Sequence, residues 1–334
     1  MKYPAKFLIL LLTGTVLAAC GGNAGATDAP PAQSAASSAQ QSGGMGNAQS
    51  AGSIVEVAQQ RGFNALLAAA TKANLGAALS DANRRLTVFA PTDAAFNRLA
   101  AGLGFADANA MVNALPASTL QSVLLYHVLP AAKNAAILST NGPIQETLYR
   151  RADCAVSLAL DSSDGIKLTD AARTVANVAT ADVAASNGVI HVIDKVLVPP
   201  GVLTVVQMAQ VNPNLTALAK AVSTAGLQSV LNGTGPFTVL APTDAAFAKA
   251  PSGLGATQLA TVLKYHALDS ELRAADLPFG VPVSTLAQQS IQFGNGSAIT
   301  IKDATGTTAN VTVTDLEASN GVVHVIDKVL IPTL

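Results

Sequence analysis

The sequence predicts an α+β protein built as two copies of one unit, and three observations carry that prediction. Residues 186–199 read S-N-G-V-I-H-V-I-D-K-V-L-V-P and are written again at 319–332 as S-N-G-V-V-H-V-I-D-K-V-L-I-P. The copies differ only at Ile190/Val323 and Val198/Ile331, and apolar alternation behind Asn-Gly is the pattern of a strand following a turn. Residues 87–96, T-V-F-A-P-T-D-A-A-F, recur at 238–247 as T-V-L-A-P-T-D-A-A-F, a second marker of internal repetition. Within each copy, helical periodicity comes first and alternating strands come later. That order belongs to α+β rather than to alternating α/β.

The chain of 334 residues is long enough for two ordinary domains, and half of it is apolar, so each can hold its own core. Only 12% of residues are charged and the net charge is −1, which excludes an electrostatic partnership with nucleic acid. Tryptophan is absent and aromatics are scarce, so no stacking platform is expected. Two cysteines, Cys20 and Cys154, cannot form a disulfide framework.

The first unit is expected over residues 52–199 and the second over 200–334, joined by the short, stiff Pro199-Pro200-Gly201. Helical spacing covers 54–58 and 63–79, and a strand over 86–90 ends at Pro91. Thr92 is then a natural N-cap, with Asp93 placed in the first turn where its charge suits the helix dipole. Thr243 and Asp244 repeat the arrangement. A helix after Pro116, with Ser118 as its cap, is expected to end at Tyr126-His127, a pair repeated as Tyr265-His266. Strands are expected over 155–160, 166–169 and 175–180, before the closing stretch. In the second copy, strands over 299–302 and 308–314 flank the turn sequence Asp303-Ala304-Thr305-Gly306. Additional residues between Gly104 and Leu120 in the first copy predict a short helix over 107–115.

The N-terminus reads as an export signal over residues 1–19. Lys2 and Lys6 flank a largely apolar run over 7–17 that is too short to span a bilayer. It ends in Leu17-Ala18-Ala19-Cys20-Gly21, which resembles the bacterial lipobox. That resemblance implies cleavage before Cys20 and diacylglycerol on its thiol, which anchors the chain to a membrane. Gly21 is similar to the residue found in lipoproteins sent to the outer membrane, so the cell surface is the expected location. Residues 20–51 are small and polar, the composition of a disordered tether reaching about 30 Å.

T-V-F-A-P-T-D-A-A-F, the Tyr-His pair and G-V-I-H-V-I-D-K-V-L, in that order and twice over, resemble the fasciclin-like (FAS1) domain. The resemblance implies a β-sandwich or wedge with packed helices. It also implies a surface-anchored or extracellular adhesion protein with no general enzymatic activity. Integrin-type recognition sequences of animal members are not evident, so receptor binding of that kind is not carried over.

The chemistry that remains to weigh is small. In H-V-I-D, His191 and Asp194 lie three apart on a strand and face opposite sides, as do His324 and Asp327. No His-x-x-x-His or Cys/His cluster is present, so no metal or cofactor is expected. His127, His191, His266 and His324 are therefore expected as buried groups bonding backbone. No G-x-S-x-G elbow is present, and the Gly-Leu-Gly stretches at 102–104 and 253–255 lack a dinucleotide-binding context. Cys154, beside Arg150 and Arg151, is expected as a lone buried thiol. The expected function is adhesion to a surface protein or polysaccharide; the competing one is a non-adhesive envelope scaffold or a small-ligand-binding lipoprotein.

Overall fold

A computed structural model describes residues 52–250 and 255–333 of the chain. The expected signal peptide, the Cys20 lipidation site and the tether lie outside the described residues.

Each repeat begins with helices that Ala and Leu build at helical spacing. Helices α1 (Ile54–Gln60), α2 (Asn64–Lys72) and α3 (Gly76–Ser80) lead into strand β1 (Leu86–Pro91). Ser53 caps α1 in a reciprocal capping box with Glu56. Next come α4 (Asp93–Gly102), α5 (Ala108–Ala114) and α6 (Ala117–Tyr126), then β2 (Val128–Leu129) and α7 (Ala135–Thr140). Strands β3 (Ile144–Arg151), β4 (Cys154–Asp161), β5 (Lys167–Thr169), β6 (Val175–Ala185) and β7 (Gly188–Ile193) complete the unit. The short helix expected in the first copy is α5, capped by Asp107. The Ser118 expectation is corrected: Pro116 holds the N-cap position of α6, and no side chain caps it.

The second repeat follows the same order. Its helices are α8 (Val205–Val211), α9 (Thr216–Thr224) and α10 (Gln228–Leu231), followed by β8 (Phe237–Pro242). Then come α11 (Asp244–Phe247), α12 (Ala256–Tyr265) and β9 (Ala267–Leu268). Strands β10 (Pro282–Ser284), β11 (Ser290–Asn295), β12 (Ile299–Lys302), β13 (Thr308–Ala318) and β14 (Gly321–Ile326) close it.

Each repeat forms one seven-stranded sheet, ordered β2-β1-β7-β6-β5-β4-β3 in the first and β9-β8-β14-β13-β12-β11-β10 in the second. The pairing of β1 with β7 is parallel, as is that of β8 with β14, inside otherwise antiparallel ladders. The closing strand is therefore interior to the sheet, wedged between β1 and β6. Bulges in β6 and β13 bend the sheet, so both faces of its centre are covered. Leu86, Val88, Ala90, Ile190 and Val192 face the helices, while Phe89 and Ile193 face a second core with Leu158, Leu160 and Leu168. Strand β3 was missed because its inward side chains are polar. Gln145 and Thr147 are buried, Gln145 accepting from Lys133 Nζ at 2.7 Å and Thr147 donating to the Val156 carbonyl at 2.6 Å. Cys154 opens β4 half-buried and is disulfide-bonded, which corrects the lone-thiol reading.

The Asn-Gly preceding β7 does more than turn. Asn187 is fully buried; its Oδ1 accepts from the Ile54 N–H at 2.9 Å and its Nδ2 donates to the Leu79 carbonyl at 2.8 Å. Asn320 makes the same pair of bonds to Val205 and Leu231. The start of α1 and the end of α3 are thereby fixed to the sheet. Gly188 is required by close approach: a Cβ there would sit 2.0 Å from the Leu86 carbonyl oxygen. At Gly321 the same clash, with Phe237, is joined by a φ of 151°. Gly188→Ala must open the first rungs of the parallel ladder, and a loss of about 3 kcal/mol or more is expected in urea unfolding.

Candidate functional site

Thr92 caps α4 as its position suggests, its hydroxyl accepting from the Ala95 N–H at 3.2 Å. Asp93 lies in the first turn of α4, as expected, and has a second task. Its Oδ1 accepts from the Ala65 N–H at 2.9 Å and its Oδ2 from Asn64 Nδ2 at 3.1 Å, so it caps α2 from a distance. In the second repeat Thr243 caps α11, accepting from the Ala246 N–H at 3.2 Å. Asp244 accepts from Ala217 N–H at 2.8 Å and Thr216 Oγ1 at 2.6 Å. Each aspartate thus locks the first helical layer onto the helix that follows the first long strand.

The four histidines are spent on backbone. Leu197 N–H donates to His127 Nε2 at 2.9 Å, which leaves Nδ1 as the protonated nitrogen, donating to the Val123 carbonyl at 2.7 Å. His266 bonds Leu330 and Val262 at the same distances. Burial pushes both imidazoles down from 6.5 to about 4, against the opposing effect of the backbone carbonyl bond. His191 and His324 have the other tautomer. Nδ1 accepts from Asp182 and Asp315 N–H, at 3.3 and 3.2 Å. Nε2 donates to the Lys133 and Leu272 carbonyls, at 2.9 and 2.8 Å. Burial also holds His324 below its ordinary value. Thr87 assists by donating to Ala131 O at 2.6 Å and accepting from Lys133 N–H at 2.8 Å.

Of the remaining motif residues, the two tyrosines point inward and the two aspartates bond between neighbouring strands nearer the surface. Tyr126 is buried, its hydroxyl 3.4 Å from the Ser157 carbonyl and its ring edge-on to Tyr149. Tyr265 donates to Ser290 O and accepts from Ala304 N–H, both at 2.9 Å. Asp194 accepts from Asn177 N–H and Nδ2 at 2.8 Å, and Asp327 binds Asn310 likewise at 2.7 Å. His191 and Asp194 thus serve separate partners. Sequence reasoning passed over Asp170, which is buried and accepts from Thr174 N–H and Oγ1 and from Val198 N–H. Only the turn pattern of its counterpart, Asp303-Ala304-Thr305-Gly306, hinted at it. Among the described residues, no group of three or more His, Cys, Asp or Glu side chains could hold a metal ion.

The joint between repeats has its own contacts. Glu317 pairs with Arg151 of the first repeat and, at 2.6 Å, with Arg273 of the second. Its carbonyl accepts from the linker Gly201 N–H at 2.9 Å. Buried Asn212 donates to the Ala172 carbonyl at 3.0 Å, and Leu103 packs against the cores of both repeats. These contacts hold the two units in a defined relation.

Two measurements follow. Unfolded histidine titrates near 6.5, whereas His127 and His266 resist protonation until about pH 4. Their contribution is complete above pH 6.5, falls as pH drops through that window, and levels off below about 4. Each histidine accounts for about 3 kcal/mol. Asp170, whose carboxyl burial pushes up, titrates in the opposite sense and offsets part of the loss. Urea midpoints collected from pH 7 to 4 should decline accordingly. At the joint, Glu317→Ala should cost only about 1 kcal/mol, because its arginine partners are partly exposed. It should broaden the distance distribution between spin labels placed one in each repeat.

The family model described as Fasciclin domain matches residues 61–199 and 213–332. The chain is 38% identical over 133 residues to the uncharacterized Synechocystis protein sll1735, covering 38% of this chain and 96% of that protein. It is 28% identical over 291 residues to transforming growth factor-beta-induced protein ig-h3 of Sus scrofa, covering 85% of this chain and 38% of the relative. A solved FAS1 domain pair from the insect cell adhesion molecule fasciclin I aligns with 84% of this chain and 98% of its own, at 23% identity and a TM-score of 0.39. With two segments matched in tandem, the chain belongs to the fasciclin domain family.

Proposed function

We propose that this protein is a surface-anchored adhesion or matrix-interaction protein that binds a surface protein or polysaccharide through its two fasciclin domains. The observation that carries this reading is the tandem pair itself, two domains of one family whose motif side chains are turned to internal bonding. Binding then falls to the outer surfaces, where contact needs shape and area rather than a reactive group. The joint at Glu317 and Leu103 sets the spacing of the two units. A partner presenting repeated sites at that spacing gains avidity, because the second contact forms at a raised effective concentration. Deleting residues 53–334 should lower attachment or aggregation while envelope integrity is retained. Unchanged attachment with a weakened envelope would favour a scaffold instead.

The anchor is part of the same proposal and rests on the lipobox around Cys20. Cys20→Ser should abolish fractionation with membranes. A Cys20→Ser protein still in the membrane fraction would sink the anchor.

A further inference from the structure

The two repeats differ in one buried feature. Between α1, α2, α3, β1 and α6 the first repeat has an apolar cavity of about 130 Å³. The corresponding place in the second repeat, between α8, α9, β8 and α12, has about 20 Å³.

Matching contacts align the residues responsible. The capping aspartates bond Ala65 and Ala217, so Ala70 occupies the place of Val222. The buried asparagines bond Leu79 and Leu231, so Gly76 and Ala78 stand where Gln228 and Val230 stand in the second repeat. The smaller Ala70 thus leaves space that buried Val222 fills in the second copy. The interior of the cavity offers no polar hook. Leu66, Ala70, Leu75, Val88 and Leu124 line it, and both nitrogens of His127 at its wall are already bonded to Val123 and Leu197. A void of this kind stays dry, and one of about 150 Å³ accepts a molecule the size of benzene. The polar groups lie at the rim, where Gln59, Thr71 and Arg84 are exposed. Arg84 is the charged residue among those lining the space, held by Asp81 at 3.7 Å in an exposed pair.

We propose that the first repeat binds the alkyl end of a small anionic amphiphile, a medium-chain carboxylate of about six to eight carbons. The chain fills the cavity beside Ala70 and the carboxylate meets the Arg84 guanidinium at the rim. The second repeat has no such site, because Val222 occupies the space. This activity is separate from adhesion and does not depend on it.

The test is calorimetric titration of the full chain with octanoate, alongside 1-octanol and acetate. Octanoate should bind at one site per chain and raise the melting temperature, with 1-octanol at least about fivefold weaker. Ala70→Val copies the residue of the second repeat, so the fold is retained. It should weaken octanoate by at least about tenfold without lowering the ligand-free melting temperature. Arg84→Gln should bring octanoate to the affinity of 1-octanol. Absence of octanoate binding at millimolar concentration, or equal binding by Ala70→Val, would overturn the site. Equal affinity for octanoate and 1-octanol in the unaltered chain would overturn the anionic headgroup.

Discussion

In each repeat a parallel ladder joins two strands with many elements between them in the chain, since Leu86 pairs with Gly188 and Phe237 with Gly321. Such a pairing forms only after the intervening chain has been wound back, and its loop-closure cost must be met by the contacts it brings. Those contacts are concentrated at the point of closure. Gly188 lets the two backbones approach, and Asn187 ties the first helix and the end of the third to the same point. His191 then clamps the Lys133 segment to the far side of the strand. Without this ladder the helical layer and the strand-enclosed core would have no common wall.

The motifs of the two repeats are best understood as fasteners between elements that are distant in sequence. Asp93 fastens α4 to α2, and His127 fastens α6 to the segment after β7. Each uses charge or a ring nitrogen to satisfy a backbone group that would otherwise be buried without a partner, a costly condition in a dry interior. That explains why His and Asp recur in both copies without forming a reactive cluster. It also leaves the apolar lining positions free to differ, as Ala70 and Val222 do, since no fastener depends on their size.

Much of this was legible in the residues. The repeats, the strand at the end of each unit, the N-caps at Thr92 and Thr243, and the short helix over α5 follow from local pattern and capping chemistry. The buried character of the histidines was legible as well, because no partner of metal-ligand spacing accompanied them. Strand β3 escaped because Gln145 and Thr147 face inward and break the expected alternation. The parallel direction of β1 and β7 escaped because alternation reports that a strand is buried, and says nothing of its neighbour or its polarity. The place of Asp93 in the first turn of α4 was legible, but its bond to Ala65 was not, because that partner lies 28 residues upstream.

Sequence alone determined that one unit was built twice, with helices first and strands later, because period and capping are local properties of the chain. Tertiary structure alone decided that the closing strand lies inside the sheet, that Asn187 and Gly188 serve contact as well as turning, and that the first repeat keeps a space the second has filled. Those outcomes depend on which backbones come within a few ångströms of each other, and no local pattern encodes that distance.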